Sequence, residues 1–375
     1  MSTKSSQKIT FVIHALQMGG AERVLTFLAN SLVERGYDVS IITLDSSERG
    51  SYFPIKPGVD VTYLNVLTAG AGIVRRFYSI IQRLWMLRRT LKHHKSGVVV
   101  AFVDITNITT LLASVGLGIP VLVAERSDPF THVIPCFMKI MRQITYHWAH
   151  YVVTQTQGAR TYFQWLPCEK VVVIPNPVPQ DSPPLFEVRT CQKIISVGRL
   201  VPSKNHGLLI HAFAAVAKTH PTLTLTLYGE GAERKNLESI IAAHNLTTRV
   251  HLPGAVSQVK RYMRKADLFI FPSAYEGFPN ALAEAMAAGV PVIASKCSGN
   301  TDLVVHEKTG ILVEVNSQEQ LTAAIIALAQ DHEKRQCLAL GAYYALGAFR
   351  PDVVVQQWEA LIHKVLTGKA LVDSP

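Results

Sequence analysis

Short runs of apolar residues alternate with longer segments of helical periodicity along the whole chain. The first run, 8–14, is followed by a glycine turn, a helix-length segment at 21–35 and a second run at 38–44. Later runs lie at 98–103, 121–124, 151–154, 193–197, 223–228, 250–252, 268–272, 290–294 and 310–313. Continuous apolar runs are typical of strands buried on both faces, so the pattern predicts α/β architecture with parallel sheets covered by helices.

A proline-rich stretch divides the chain into two such halves. Residues 176–184 contain four prolines and no apolar periodicity, which indicates a semi-rigid linker. A chain of 375 residues also exceeds the usual size of one hydrophobic core. We predict two Rossmann-like doubly wound domains, at 1–177 and 191–350, joined by a linker at 178–190. The C-terminal segment 351–375 is predicted to form a last helix that crosses back to the first domain.

Positive charge is concentrated in the first half. Residues 1–177 hold 18 Lys and Arg against 10 Asp and Glu, a balance of +8, whereas the remainder holds 19 against 17, a balance of +2. This asymmetry indicates an anionic partner, and nucleic acid is not expected because no zinc-finger, RNP-type or basic-zipper pattern is present. Five scattered cysteines predict free, mostly buried thiols. A polar N-terminus and the lack of a long apolar stretch predict a cytoplasmic protein.

Two carboxylates flank a loop in the second half. Glu276 and Glu284 are separated by seven residues in AYEGFPNALAEAMAAGVPVIAS, which predicts a strand end, a Gly/Pro loop and a helix beginning near Asn280. Ligands of open α/β sheets bind at this edge, and a helix N-terminus offers N–H groups to a diphosphate. Glu276 could accept hydrogen bonds from sugar hydroxyls and Glu284 could bind a ribose diol. An ordinary solvated glutamate pair is the alternative, but it leaves the Gly/Pro loop unexplained.

This segment resembles the signature of glycosyltransferase family 4, retaining enzymes of the GT-B fold with an interdomain cleft. The matching residues are Ser273, Glu276, Gly277, Phe278, Pro279, Glu284, Ala285, Met286, Ala287, Gly289, Pro291, Val292, Ile293 and Ala294. The resemblance implies that Glu276 belongs to the catalytic site and Glu284 to the nucleotide-sugar site. The other residues that it places at the nucleotide sugar are Gly277, Phe278, Pro279, Asn280, Ala281 and Leu282.

Two further segments of the second half resemble family elements. SVGRLVPSKN, at 196–205, resembles the element that binds the donor diphosphate, which implies that role for Arg199 and Lys204. Fixed cations there would stabilise the leaving diphosphate as it gains charge. HLPG, at 251–254, resembles the loop near the nucleotide base and implies base packing on Pro253 and Gly254. The resemblance implies no cofactor and no metal ion, and the chain contains no Asp-x-Asp motif.

The first half supplies candidates for the acceptor site. Gly19 and Gly20 open the first predicted helix and resemble the family loop that faces the donor phosphates or the acceptor; a glycine turn for tight packing is the alternative. Polar residues at predicted strand ends are candidate acceptor ligands, namely His14, Asp104, Asn107, Glu125 and Arg126. Many family members have a histidine where Arg126 stands. Glu125 and Arg126 could equally form a structural ion pair, and His14 could finish a buried strand.

A basic amphipathic helix is predicted between Asp60 and Asp104, where no acidic residue occurs. Its apolar face is Phe77, Ile80, Ile81, Leu84, Leu87 and Leu91, and its edges carry Arg75, Arg76, Arg83 and Arg89. Basic edges with a nearby tryptophan suit an anionic membrane surface or a lipid diphosphate. A helix packed on its own sheet with solvated arginines is the alternative.

The helix, together with the F-x-D-x-T-N and G-G-A-E-R segments, resembles bacterial family members that extend undecaprenyl-diphosphate-linked oligosaccharides, including N-acetylgalactosamine transferases. The predicted function is a retaining transfer of a hexose or N-acetylhexosamine from a UDP-sugar to a glycan acceptor, lipid-linked, at the inner face of the cell membrane. A sugar-nucleotide epimerase of the same fold and a catalytically degenerate scaffold at the membrane are the alternatives.

Overall fold

The computed structural model describes residues 8–66, 73–180, 183 and 190–368, without the side chains of residues 49 and 73–78. The chain divides into two compact units. Unit 1 comprises Met1–Asn176 with Asp352–Pro375, and unit 2 comprises Pro177–Pro351. Of the predicted linker at 178–190, residues 181–182 and 184–189 lie outside the described ranges.

Unit 1 is built on a parallel sheet. Its strands are β1 (Lys8–Ile13), β2 (Asp38–Thr43), β3 (Val59–Tyr63), β4 (Val98–Phe102), β5 (Val121–Ala124), β6 (Tyr151–Thr154) and β7 (Val171–Val173). Its helices are α1 (Gly20–Glu34), α2 (Ile73–His94), α3 (Asp104–Ser114), α4 (Cys136–Thr145), α5 (Gln157–Tyr162) and α13 (Pro351–Thr367). The strand order is β3-β2-β1-β4-β5-β6-β7.

The two faces of this sheet pack on different helices, because successive strand side chains point to opposite faces. On β4, Val98, Val100 and Phe102 share a buried core with α1 and α13. Val99 and Ala101 share the other core with α2 and α3. Trp358 of α13 is fully buried and stacks on Phe102, with ring centroids 6.1 Å apart, so the last helix packs in unit 1.

Unit 2 repeats the plan with six strands. They are β8 (Lys193–Val197), β9 (Thr224–Tyr228), β10 (Val250–Gly254), β11 (Leu268–Phe271), β12 (Val292–Ser295) and β13 (Ile311–Val313). The helices are α6 (His206–Thr219), α7 (Arg234–Ala243), α8 (Val259–Met263), α9 (Asn280–Ala287), α10 (Ser298–Thr301), α11 (Gln318–Gln330) and α12 (His332–Ala345). The strand order is β10-β9-β8-β11-β12-β13.

The predicted parallel sheets are confirmed, while two strands and the cysteines differ from expectation. β3 is only partly buried and alternates apolar with polar residues, whereas β7 lies in the short apolar run 171–174, which was missed as a strand. Cys191 and Cys297 are buried, but Cys136, Cys168 and Cys337 are exposed, so the expectation of mostly buried thiols is wrong. No helix within the described ranges is long and apolar enough to span a bilayer.

Candidate functional site

The strand order of unit 2 reverses between β8 and β11. β9 lies on one side of β8 and β11 on the other, so the loops that leave the carboxyl ends of β8 and β11 diverge and leave a crevice. The first loop carries Arg199 and Lys204, and the second carries Glu276. The residues predicted to bind the donor diphosphate and the donor sugar therefore lie on adjacent strands at the topological switch point.

Lys204 and Glu276 form an ion pair across this crevice. The Lys204 ammonium donates a hydrogen bond to Glu276 Oε1, and only 18% and 11% of the two side chains are exposed. The Lys204 Nζ also lies 4.9 Å from the centroid of the Phe271 ring at the end of β11. The backbone N–H of Ala274 donates to the carbonyl oxygen of Ser203 at 2.8 Å, which joins the two loops directly.

Two glycines form the floor under the Arg199–Lys204 loop. A Cβ atom on Gly229 would lie 1.9 Å from the carbonyl oxygen of Gly198, and one on Gly231 would lie 2.2 Å from that of Leu200. Gly229 also has φ +150, which side chains with a Cβ rarely adopt. The Leu200 N–H donates to the Glu230 carbonyl oxygen at 2.9 Å. Gly229 and Gly231 thus let the backbone of the G-x-G turn hold the cationic loop in place.

The loop after Glu276 leads into α9. Phe278 is buried, and Pro279 stands at the N-cap position, where it makes no side-chain cap hydrogen bond. Asn280, Ala281 and Leu282 form its first turn, where backbone N–H groups and the helix dipole favour an anion. Glu284 lies one turn further and is half-buried. Binding of the nucleotide sugar by this loop and helix stays a prediction.

A short helix behind Glu276 was missed by sequence reasoning. A Cβ on Gly299 of α10 would lie 2.8 Å from the Glu276 carbonyl oxygen and 2.9 Å from its Cβ, so only glycine permits this contact without a shift. Ser295 at the end of β12 donates a hydrogen bond to the Ser273 carbonyl oxygen. The signal was available in Ser298-Gly299-Asn300, which follows an apolar run just as the other site loops do.

His206 is a second residue that the sequence did not reveal. It follows the cationic loop at the start of α6 and is 4% exposed. Burial, together with the smaller effect of the Lys204 charge, lowers the pKa of His206 to about 4, so the imidazole is neutral at neutral pH. A neutral ring adds no charge to the site and leaves Lys204 and Arg199 as its cations. Arg199 itself is exposed.

Pro253 and Gly254, predicted at the nucleotide base, end β10 at the edge of the sheet. Gly254 accepts a hydrogen bond from the Gly229 N–H at 3.0 Å and has φ +92. β10 is separated from β8 by β9 alone, so Gly254 borders the G-x-G turn and not the Glu276 loop. Contact with a base stays a prediction.

In unit 1 the strand order reverses between β1 and β4. Val103, which follows β4, has φ 74 and ψ 137, a strained conformation for a β-branched residue. This backbone turns Asp104 inward, where it is 2% exposed. Asp104 Oδ2 lies 2.8 Å from His132 Nδ1, and Asp104 Oδ1 accepts from the Ile105 N–H at 2.7 Å. The exposed group at this edge is therefore His132, which sequence reasoning missed.

Asn107 and Glu125, also predicted at the acceptor, lie in a buried network. The Asn107 side-chain amide donates to the Tyr146 hydroxyl at 3.0 Å, and that hydroxyl donates to Glu125 Oε1. Asn107 is fully buried and Glu125 is 2% exposed. Burial raises the pKa of Glu125 to about 7, opposed by the Arg142 charge. Both side chains therefore lie in the interior of unit 1, beneath the edge of the sheet where the acceptor was predicted to bind, and they contribute to packing there.

Arg126 lies against the rings of two unit 1 residues. Its guanidinium carbon is 4.5 Å from the Phe102 centroid and 5.5 Å from that of Trp358. Nη1 donates to Asn176 Oδ1 at 3.2 Å, while Nε and Nη2 are buried without a hydrogen-bond partner among the described residues. Burial lowers the pKa of Arg126 to about 9, opposed by the Glu125 charge. The unsatisfied donors would suit an oxygen-rich ligand.

His14, Gly19 and Gly20 lie at the end of β1 and the start of α1. His14 is exposed at its surface, and partial desolvation and the Arg83 charge lower its pKa. The space beside Gly19 holds the Glu22 carboxylate, since a Cβ there would lie 2.1 Å from Glu22 Oε2. A phosphate approaching these glycines would first have to displace a carboxylate.

The predicted membrane arginines of α2 have differing surroundings. The Arg83 Nε donates to the Val66 carbonyl oxygen at 3.2 Å, and the Arg89 guanidinium lies 5.5 Å from the Trp85 centroid. The side chains of Arg75 and Arg76 lie outside the described part of the chain. No group of three or more His, Cys, Asp or Glu side chains that could hold a metal ion occurs among the described residues.

Two family models match the chain, and together they cover both units. The model for glycosyl transferases group 1 matches residues 180–343, and the model for the glycosyl transferase 4-like domain matches residues 19–177. The chain belongs to the family 4-like glycosyltransferases. The predicted family and enzyme class are confirmed.

Relatives of this glycosyltransferase share nearly its whole length. One relative is an alpha-1,4-N-acetyl-D-galactosaminyltransferase of Campylobacter jejuni, whose name gives GalNAc-alpha-(1->4)-GalNAc-alpha-(1->3)-diNAcBac-PP-undecaprenol. It is 27% identical to this chain over 96% of this chain and 99% of the relative's length. The amylovoran biosynthesis glycosyltransferase AmsD of Erwinia amylovora is 25% identical over 92% of this chain and 96% of its own.

Solved structures agree on the fold of the glycosyltransferase. Anabaena HepE in complex with UDP superposes with a TM-score of 0.79 at 20% identity, covering 95% of this chain and 100% of that chain. Sucrose-phosphate synthase from Thermosynechococcus elongatus gives a TM-score of 0.82 at 18% identity, covering 97% and 100%. The predicted GT-B fold is confirmed.

Proposed function

We propose that this glycosyltransferase transfers a hexose or N-acetylhexosamine, with retention of configuration, from a UDP-sugar to a glycan carried on a polyprenyl diphosphate. The observation that carries the proposal is the Lys204–Glu276 pair at the switch point of unit 2. UDP as the nucleotide is supported by HepE, which binds it, and the lipid-linked acceptor by the Campylobacter relative.

In this proposal the donor binds along the β8–β11 edge. The diphosphate lies at the Arg199–Lys204 loop and the start of α9, and the ribose diol reaches Glu284 one turn into that helix. Glu276 holds the sugar hydroxyls. Lys204 and Glu276 pair with each other in this structure, so on donor binding the diphosphate would replace Glu276 as the partner of Lys204, and the sugar hydroxyls would replace Lys204 as the partners of Glu276. Neither charge is left buried and unpaired in either state.

The chemistry follows from where charge develops. The bond between the anomeric carbon and the diphosphate oxygen breaks, and the diphosphate keeps the electron pair. Arg199 and Lys204 stabilise this negative charge more in the transition state than in the bound donor. The acceptor oxygen bonds the anomeric carbon on the face from which the diphosphate leaves, which defines retention.

The acceptor edge of unit 1 supplies a proton acceptor. His132 is 42% exposed at its side chain while Asp104 is 3% exposed, and their 2.8 Å contact holds Nδ1–H toward the carboxylate. That tautomer leaves the Nε2 lone pair free for the acceptor hydroxyl proton. Asp104 is then a positioning residue, and its predicted contact with the acceptor is made through His132.

Variants of the pair test this assignment. His132→Gln should lower kcat with the acceptor about 100-fold, within the usual range for general-base catalysis, and Asp104→Asn should shift the pH profile of kcat. UDP binding should stay unchanged in both, because the donor edge is in unit 2. A His132→Gln enzyme with wild-type kcat would remove His132 from the mechanism while leaving sugar transfer itself intact.

The transfer assay separates this function from its two alternatives. Purified protein is incubated with a radiolabelled UDP-sugar, with and without a polyprenyl-diphosphate-linked oligosaccharide, and both lipid-linked products and sugar nucleotides are resolved. Label moving to the lipid only when acceptor is present supports transfer. Isomerised sugar nucleotide would instead indicate an epimerase, and no change with any UDP-, GDP- or ADP-sugar would indicate a scaffold.

A further inference from the structure

A stripe of exposed apolar side chains runs along the outer face of α4 and past both of its ends. Its members are Val133 (87% exposed), Phe137 (66%), Ile140 (55%), Ile144 (49%) and Trp148 (49%). Phe137, Ile140 and Ile144 lie three and four residues apart, so they share one side of the helix. We call these five residues the α4 stripe.

The opposite face of α4 is already packed. Met138 and Met141 contact the core beneath the helix, and Thr145 is fully buried. The α4 stripe is therefore not the half of an amphipathic helix that faces the sheet. A surface helix of a globular domain normally presents polar residues outward, and clustered exposed apolar residues mark an interaction site.

The exposed charge in the segment of sequence that contains the stripe is of one sign. Residues 61–168 contain eleven Lys and Arg against three Asp and Glu. The three acids, Asp104, Glu125 and Asp128, are 2%, 2% and 7% exposed, whereas Lys139 on α4 is exposed. No exposed acidic residue thus lies in this segment. Apolar side chains with a cationic surround complement an anionic lipid surface.

α2, which the sequence predicted to be the membrane helix, exposes only part of its apolar face to solvent. Leu87 and Leu91 are fully buried against the sheet, while Ile80, Ile81 and Trp85 remain about half exposed at 51%, 49% and 59%. Since α3 packs between α2 and α4, the three helices form one layer of unit 1. α2 therefore extends the exposed apolar surface whose main part is the α4 stripe.

We propose that the α4 stripe docks the enzyme on an anionic lipid bilayer. The apolar side chains enter the boundary between headgroups and acyl chains, and the exposed Lys139 and Arg89 meet the lipid phosphates. This inference rests on the proposed lipid-linked acceptor, which it brings within reach of unit 1. It assigns bilayer contact to α4, and it predicts binding that persists in part at high salt, because apolar insertion is not screened.

Liposome flotation tests the docking. The triple variant Phe137→Ser, Ile140→Ser, Ile144→Ser is compared with a matched control, Val305→Ser with Tyr344→Ser, which removes exposed apolar residues from unit 2 (53% and 67% exposed). On vesicles of phosphatidylcholine and phosphatidylglycerol the triple variant should bind about 100-fold more weakly, or about 3 kcal/mol, while the control binds like the wild type. Equal flotation of all three proteins would overturn the proposal.

Two readouts keep the test independent of folding and of sugar transfer. A blue shift of tryptophan emission on vesicles should fall more in Trp148→Phe than in Trp85→Phe, and the reverse order would assign the main contact to α2 and overturn the α4 assignment. Far-UV circular dichroism and thermal unfolding of the triple variant should match those of the wild type, so that its loss of flotation is not caused by unfolding of unit 1. A dimer in sedimentation that the triple variant dissociates, without vesicle binding, would identify a second copy as the occupant and overturn the proposal.

Discussion

Removing the charge of Lys204 should affect stability and catalysis by different amounts. Lys204→Met keeps the length of the side chain but leaves the Glu276 carboxylate, 11% exposed, without its cation. Exposed pairs contribute about 0.2–1 kcal/mol and breaking a fully buried pair costs about 3–5 kcal/mol, so this partly buried pair should cost about 1–3 kcal/mol in the free energy of unfolding.

A double-mutant cycle isolates the interaction. Glu276→Gln alone leaves the ammonium unpaired, whereas the double variant removes both charges together. We expect the double variant to be no less stable than either single variant, with a coupling free energy of about 1–2 kcal/mol from urea unfolding. Additive losses would show that the two groups do not interact in solution.

The catalytic loss should exceed the stability loss and should not be rescued in the double variant. Without the ammonium, the leaving diphosphate loses one charge-assisted contact of about 2–4 kcal/mol, a factor of ~30–1000 in kcat/KM. Glu284→Ala should lose a comparable amount through the ribose while the fold stays intact. A Lys204→Met enzyme that is folded, destabilised and fully active would show that Lys204 serves the structure alone, and would refute its assignment to the diphosphate.

Further outcomes follow from the geometry. The Cβ of Gly231→Ala would lie 2.2 Å from the Leu200 carbonyl oxygen, so this variant should destabilise unit 2 by more than about 2 kcal/mol and weaken UDP binding. The control Gly207→Ala meets nothing nearer than 3.5 Å and should stabilise α6 by up to ~1 kcal/mol. Equal melting temperatures of the two variants would contradict this expectation. The pKa of Glu125 is about 7 in the folded protein against 4.5 for an ordinary glutamate, so the protonated carboxyl contributes its full stabilisation below pH ~4.5. The free energy of unfolding should fall by about 3 kcal/mol as the pH rises from there through 7. Glu125→Gln should flatten that dependence in urea titrations, and an unchanged pH dependence would contradict the raised pKa of Glu125. Activity should survive EDTA, since fixed cations face the diphosphate; a loss restored by Mg²⁺ or Mn²⁺ would show otherwise.

The donor edge was predictable from sequence because its residues follow apolar strands. Arg199, Lys204 and Glu276 lie in the loops that follow continuous apolar runs, and ligands of open α/β sheets bind at the loops that leave such strand ends. The pairing of Lys204 with Glu276 was not predictable, since it depends on β8 and β11 being neighbours although 70 residues separate them along the chain.

The acceptor edge was harder to predict because burial there does not follow polarity. Asn107 and Glu125 are polar residues near strand ends, yet both are buried and hydrogen-bonded to the Tyr146 hydroxyl. His132 lies in a segment without periodicity, and only its contact with the Asp104 carboxylate, 28 residues earlier, indicates a role for it. Similarly, the α4 stripe is a helical pattern whose outward orientation is set by the packing of Met138 and Met141.

A crystal structure of the enzyme with UDP bound would locate the donor site. We expect the diphosphate oxygens within hydrogen-bond distance of Arg199, Lys204 and the first N–H groups of α9, with the ribose hydroxyls on Glu284 and the Lys204–Glu276 contact opened. A nucleotide bound elsewhere, with that ion pair intact, would contradict the assignment of the donor site.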